Sequence, residues 1–402
     1  MSFLQDKIFK LKGQVQHYAW GGYDFIPAFL GIENKEHKPY AEYWMGAHPS
    51  ASSILITKNG ELSLHQLIRD YPEEFLGEKV QQQFGELPYL LKILDVRDML
   101  SIQVHPTKEQ AAKGFEEEEA AGVVIGAAHR NYKDKNHKPE IMVALSEFWL
   151  LHGFLTEGKL KQVLQTVPEF EHFTSYFDNG GYKALYEHVM HMLQSEVTSC
   201  LKPLVERELE RKSRGELTKD QPGWWVAKLY ENQKMEEIDR GVFSIYFFNI
   251  VKVNPGEAVF QGAGVPHAYL EGQNVELMAN SDNVLRGGLT PKHIDVAELC
   301  KHVLFEGVIP EVMKGDKLND EERNYACPVP DFGIHKIEMQ AHDEFKIKTS
   351  SLEIWVVLEG ELQVSGLNKL QVKKGEAIAV MPNETLKVIA ENNTVAYRAF
   401  VP

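Results

Sequence analysis

Three short stretches of this chain each carry a group able to ligate a divalent metal ion. They are Ser101-Ile102-Gln103-Val104-His105-Pro106, Asn136-His137-Lys138-Pro139-Glu140 and Pro266-His267-Ala268-Tyr269. Gln103, His105, Glu140 and His267 together make a two-nitrogen, two-oxygen ligand set of the kind zinc accepts. A fourth stretch, Ser281-Asp282-Asn283-Val284-Leu285-Arg286, adds a guanidinium suited to an anionic substrate. Each residue alone has an ordinary structural role open to it: a histidine closing a strand, a surface carboxylate, a loop amide. The inference rests on the joint pattern, which points to a metalloenzyme.

Converging such groups requires strands. Ser101, Gln103 and His105 alternate at a period of two, so a strand over 100–105 turns all three side chains to one face. Lys138 and Glu140 stand in the same relation, as do His267 and Tyr269. Pro106, Pro139 and Pro266 stiffen the adjoining backbone and help fix side-chain direction. Four protein ligands would saturate a tetrahedral zinc, leaving a structural site unless water or substrate adds a fifth. Such an ion would hold a substrate oxygen or position a water rather than generate a free hydroxide.

The chain has 402 residues, enough for two or three domains, with 43% hydrophobic and 25% charged residues in the ordinary range for soluble proteins. A formal net charge of -15 with no basic tract argues against nucleic acid as a partner, although a few local cations could still bind a phosphate. Cys200, Cys300 and Cys327 lie far apart without ligand or redox spacing, as expected of reduced thiols in a cytoplasmic protein. The N-terminus lacks the apolar stretch of a signal peptide, and no run is long enough to span a membrane.

Residues 1–150 break into short apolar segments punctuated by Gly, Pro and Asn. Tyr43-Trp44-Met45, Ile54-Leu55-Ile56, Tyr89–Leu94 and Ile141–Leu145 are expected strands, with helical patches at Leu64–Ile68 and Glu73–Phe84. Over 155–237 the apolar spacing becomes helical, and Pro222-Gly223 starts a further helix through Trp224 and Trp225. Val242–Phe248 is apolar apart from Ser244 and fits either a buried strand or a buried helix. Strands resume near 249 and again beyond Phe332, where Lys373-Lys374-Gly375-Glu376-Ala377 echoes Asn254-Pro255-Gly256-Glu257-Ala258. That echo suggests two related β-barrels or jelly rolls, the second without a histidine where a metal ligand would stand. The expectation is a mainly β protein with a helical insertion. It divides into a discontinuous catalytic domain (1–154 and 238–325), a helical domain (155–237) and a C-terminal β domain (326–402).

With these residues the chain resembles the type I, zinc-dependent phosphomannose isomerase family, also called mannose-6-phosphate isomerases. The resemblance runs through His17-Tyr18-Ala19-Trp20-Gly21-Gly22, Ala41–Pro49, Pro88–Leu94, Leu100–Pro106, Asn136–Glu140, Asn254–Leu270 and Glu276–Gly288, ending near Leu289-Thr290-Pro291-Lys292. It implies cupin-type jelly-roll barrels, two β domains and one helical domain. It also implies one Zn2+ per chain held by Gln103, His105, Glu140 and His267. Arg286 matches the family's pocket arginine, and Ser101, Lys138, Glu276, Tyr269 and Lys292 match other pocket positions. The implied reaction is reversible conversion of D-mannose 6-phosphate to D-fructose 6-phosphate, which feeds glycan precursors or glycolysis.

Such an aldose–ketose isomerisation passes through a cis-enediol. It needs an acid–base group near C1 and C2 and positive charge where the oxyanion develops. Arg286 is a permanent cation, so it clamps charge or helps ring opening rather than removing a proton; its structural alternative is a salt bridge to Asp282 or Glu276. Glu276 and Lys138 are the expected members of the acid–base network, with Asp282, His137 and Tyr269 as further candidates. Lys292 and Ser101 are the expected phosphate contacts, and Trp20 and His17 are placed at the pocket mouth. The protein is expected to act as a monomer on a phosphorylated hexose. Two alternatives remain open at the level of sequence. One is another cupin metalloenzyme such as an iron-dependent oxygenase, against which Gln103 argues; the other is a sugar-phosphate sensor that binds without turnover.

Overall fold

The structure, a computed structural model, describes residues 6–402. Among these, two large antiparallel sheets stack on a shared apolar core. A ten-stranded sheet contains all the strands that carry expected ligands, and a nine-stranded sheet contains most C-terminal strands. Between them pack Tyr43, Leu91, Ile93, Val275 and Leu277 from one side and Ile354, Val356, Ala377 and Tyr397 from the other. A four-stranded sheet completes the C-terminal part.

The organising element of the site is one long strand, His267–Ala279. Its first residues pair with Phe148–Phe154, and its last pair on one side with Tyr89–Val96 and on the other with Glu140–Ala144. Changing partners along one strand requires a bend, supplied by a register shift between Tyr269 and Glu271 and by Gly272 at φ 126°. A side chain at Gly272 would lie 2.7 Å from the Glu147 carbonyl, so only glycine fits this close approach.

The expected strands in 1–150 all form, at Glu42–Gly46, Ile54–Thr57, Tyr89–Val96 and Glu140–Ala144. The 100–105 segment is strand only over Ile102–Val104, with His105 immediately beyond it. The expected helix over Glu73–Phe84 is two helices, Pro72–Leu76 and Glu78–Phe84, broken at Gly77 with φ 79°. A helix over Lys108–Ala120 was not anticipated. Thr107 and Gln110 close a reciprocal capping box there, which the Thr-x-x-Gln spacing could have revealed.

The expected helices form, with Leu160, Leu164, Leu185, Val189, Leu201 and Val205 in an apolar core shared with Ile102, Leu151, Phe154 and Leu270 of the ten-stranded sheet. The ambiguous segment resolves into both alternatives: Gly241–Phe247 is a helix in that core, and Phe248–Val253 is a strand. Helices therefore continue past the expected boundary at 237. Near the N-terminus, Ile8–Lys12 pairs with Ala377–Val380 and with Ile54–Thr57, so hydrogen bonding continues from the first strands into the C-terminal sheet. The echoed turns share one geometry. Gly256 and Gly375 sit at φ 83° and 82°, and the carboxylates of Glu257 and Glu376 accept from the backbone N–H of Asn254 and Lys373. Among the described residues no helix is long and apolar enough to cross a membrane, and all three cysteines are free thiols.

Candidate metal centre and substrate pocket

Strand register brings the expected ligands together. Gln103 lies between His267 on one neighbouring strand and Arg286 on the other. His105, Glu140 and His267 place their ligating atoms within 4.8 Å of one another, and all three are buried. His105 Nε2 stands 3.4 Å from one Glu140 oxygen and His267 Nε2 stands 3.4 Å from the other. Both Nε2 atoms are buried without a hydrogen-bond partner.

The other face of each ring explains its tautomer. His105 Nδ1 lies 2.9 Å from the Asn283 carbonyl and His267 Nδ1 lies 2.9 Å from the Val265 carbonyl. A carbonyl only accepts, so each proton sits on Nδ1 and each Nε2 presents a lone pair. Two lone pairs and a carboxylate facing one another repel unless a cation lies among them. Such an arrangement, with backbone carbonyls orienting the rings from behind, fits a metal ion. Burial pushes His105 down to about 4, which keeps its imidazole neutral. For Glu140, burial works upward, yet Lys138 and His105 outweigh it and hold the carboxyl well below its usual range.

Above this cluster opens a cavity of about 620 Å³, lined by Ser101, Gln103, Lys138, Asp282, Arg286 and Lys292 among others. A smaller hollow of about 50 Å³ shares Gln103 and Lys138 and reaches Glu140, His267, Tyr269 and Glu276. Arg286 is half-buried and Lys292 exposed, and neither has an acidic partner within 4.0 Å among the described residues. The expected structural alternative, an Arg286 bridge to Asp282 or Glu276, does not form. Burial lowers Arg286, and burial together with Arg286 lowers Lys292. Two free cations therefore face one cavity, an arrangement matched to an anionic ligand.

Of the acid–base candidates, Lys138 lies 3.2 Å from Glu140, and the Tyr269 hydroxyl donates to Glu276 at 2.8 Å. Burial raises Glu276, with Lys92 opposing. Asp282 reaches the cavity with its carboxylate 3.4 Å from His48 Nε2, and His48 is the main reason its carboxyl is held low. Two expectations fail on geometry. His137 lines neither hollow, its Nε2 held 3.0 Å from Asp331, in the irregular segment before the strand that begins at Glu140. His17 is exposed and bonds the Pro39 carbonyl at 2.7 Å, while its neighbour Tyr18 stacks on Trp20 at the cavity wall.

Sequence reasoning passed over Glu42 and Lys92, which line both hollows. Lys92 Nζ lies 3.2 Å from both Glu42 and Glu276 and 5.0 Å from the Trp44 ring centroid. A single lysine in the apolar run Tyr89–Leu94 was the available signal, since buried lysines are rare unless paired.

Fold and cluster together define a β-sheet protein with a nitrogen–oxygen centre suited to a metal, set beneath a pocket for an anion. Comparison with known proteins narrows that class. The family described as "Phosphomannose isomerase type I, catalytic domain" matches residues 8–156. Mannose-6-phosphate isomerase of Escherichia coli (strain K12) is 38% identical over 383 residues, spanning 94% of this chain and 95% of that protein. The Rattus norvegicus enzyme of the same name is 34% identical over 429 residues, spanning 98% of each. Among solved structures, the Salmonella typhimurium mannose 6-phosphate isomerase bound to substrate (f6p) and zinc superposes with a TM-score of 0.86 at 35% identity, covering 98% of this chain and all of that one. A zinc-bound holo structure of a mannose 6-phosphate isomerase gives a TM-score of 0.87 at 34% identity over 98% of this chain. The chain belongs to the mannose-6-phosphate isomerase family.

Proposed function

We propose that the protein interconverts D-mannose 6-phosphate and D-fructose 6-phosphate through a cis-enediol, with one Zn2+ held by Gln103, His105, Glu140 and His267. The observation that carries this is the pair of unpartnered imidazole nitrogens facing Glu140, directly beneath a cavity with two unpaired cations. When bound, zinc would supply positive charge to orient and polarise the sugar oxygens. The chain's own groups do the rest. Lys292 and the Ser101 hydroxyl hold the phosphate, and Arg286 balances negative charge developing on the open-chain sugar. Tyr18 and Trp20 wall the cavity and limit water. Glu276, raised by burial, and Lys138 are the proton-handling groups nearest the inner hollow, with Asp282 at its outer edge. Lys92 stays charged, because Glu42 and Glu276 outweigh the effect of its burial, so it steadies Glu276 rather than accepting a proton.

The two echoed turns and the two stacked sheets support a pair of cupin-type barrels with the helical module inserted in the first. Three free thiols support a reducing, cytoplasmic setting. The test is a coupled fructose-6-phosphate assay on purified protein before chelation, after it, and after zinc is restored. Activity should vanish and return with the metal; turnover that survives rigorous metal removal refutes the mechanism.

A further inference from the structure

No residue of the helical module, from 155 through Phe247, lines either hollow of the site. The module nevertheless grips the segment that carries the two unpaired cations. Asp239 lies between the helices Pro222–Tyr230 and Gly241–Phe247. Its Oδ1 accepts from the backbone N–H of Gly241 at 2.7 Å and of Leu289 at 2.8 Å, and its Oδ2 accepts from that of Thr290 at 3.1 Å. Asp239 is itself tied down, since its own N–H donates to the Tyr230 hydroxyl at 2.8 Å.

The two backbones meet without room for side chains. A Cβ on Gly288 would come within 2.5 Å of Gly241 Cα, and a Cβ on Gly241 within 2.6 Å of the Leu289 nitrogen. Leu289 occupies the left-handed region at φ 55°, a conformation an L-residue with a branched side chain resists. Something must hold it there, and the Asp239 carboxylate binds the N–H groups of this residue and the next. Immediately upstream, Leu285–Gly288 carries Arg286; immediately downstream, Leu289, Thr290, Pro291 and Lys292 form one wall of the cavity. Lys292 N–H is tied back to the Thr290 hydroxyl at 3.1 Å, so the position of Thr290 is passed on to Lys292.

We propose that Asp239 is a positioning residue: it latches the 288–292 loop onto the helical module, holds Leu289 in its left-handed turn, and so fixes Lys292 for the substrate phosphate. The proposal rests on the assignment of Lys292 as a phosphate contact.

The experiment compares Asp239→Ala, Asp239→Asn and Lys292→Ala in steady-state kinetics on mannose 6-phosphate, with inorganic phosphate as competitive inhibitor. Zinc content and the thermal midpoint are measured alongside. Asp239→Ala should raise KM, and the inhibition constant for phosphate, by about tenfold or more, with kcat within about threefold of the parent and zinc retained. Asp239→Asn keeps one acceptor oxygen, so it should fall between Ala and the parent; it also carries the test if the alanine variant does not fold. A normal KM for both Asp239 variants beside a raised KM for Lys292→Ala overturns the latch alone. A normal KM for Lys292→Ala overturns the phosphate assignment and the latch with it. Loss of zinc and kcat in step, with KM unchanged, would mean that Asp239 serves only general stability, and would also overturn the proposal.

Discussion

Replacing Lys92 with Met removes one cation from between two buried carboxylates while leaving the side-chain volume nearly unchanged. Three adjacent strands set this arrangement: Trp44 pairs with Lys92 and Lys92 pairs with Glu276, so these side chains stand in a row on one face of the sheet, with Glu42 two residues from Trp44. Side-chain exposures of 7%, 10% and 5% for Lys92, Glu42 and Glu276 exclude most solvent screening. At 3.2 Å and an effective dielectric of about 20, each Lys92–carboxylate attraction is about 5 kcal/mol before desolvation is subtracted. Breaking a buried pair from one side costs about 3–5 kcal/mol, because the remaining charge is left uncompensated. Lys92→Met should therefore lower unfolding free energy by about that amount at pH 8 in urea titrations.

The penalty must also depend on pH, with a definite sign. Burial already raises Glu276 while Lys92 opposes, so removing Lys92 raises it further. A group whose folded pKa exceeds its unfolded value contributes stability that is full below about 4.3 and is lost as pH rises through the folded value. The cost of Lys92→Met should accordingly be smaller at pH 5.5 than at pH 8, as Glu276 takes up a proton in place of the missing cation. Adding Glu276→Gln to Lys92→Met should recover more than about 1 kcal/mol at pH 8, since the pair is in direct contact. A penalty below about 1 kcal/mol, or one equal at both pH values, would refute the reasoning and show that water reaches these groups.

Glu276→Gln alone should lower turnover at least about tenfold while zinc content, measured by emission spectroscopy, stays at the parent level; near-normal turnover would remove Glu276 from the proton-handling groups. Arg286→Lys keeps the charge but loses the planar fork, so kcat/KM should drop about tenfold or more with the thermal midpoint unchanged. Gly375→Ala places a methyl 2.0 Å from the Phe29 carbonyl at φ 82°, whereas the methyl of Gly256→Ala at φ 83° meets nothing nearer than Lys336 Nζ at 3.8 Å. Both carry the left-handed strain of about 1 kcal/mol, but only Gly375→Ala adds a backbone clash, so its denaturation midpoint should fall clearly further.

What the sequence revealed and what it concealed divide along a physical line. The strands carrying the expected ligands were legible because period-two alternation fixes which side chains share a face, and a proline beside His105, Glu140 and His267 marks a stiff segment. The helical module was legible because its apolar spacing repeats over several turns. Val242–Phe248 stayed ambiguous because a run apolar apart from Ser244 satisfies both periods, and the chain uses both, as helix to Phe247 and strand from Phe248. His137 was an acid–base candidate by residue type alone, and no local pattern showed that Asp331, distant in sequence, would take its ring. The lone lysine in Tyr89–Leu94 marked Lys92, but its pairing with Glu42 and Glu276 depends on register between strands distant in sequence, which no local pattern encodes.

That dependence on register ties the metal centre to the charge row behind it. The strand His267–Ala279 carries His267 at one end, Tyr269 two residues on, and Glu276 beyond the bend at Gly272. Its pairing places His267 beside Gln103 and Glu276 beside Lys92, and the Tyr269 hydroxyl closes the span by donating to Glu276. A one-residue slip on either side of the bend would reverse the facing of every group on that half and separate His267 from Glu276. Gly272, which the Glu147 carbonyl denies any side chain, thus helps set the distance between His267 and Glu276. The geometry of the site is, in this sense, a property of one bent strand and the neighbours that hold its two halves in register.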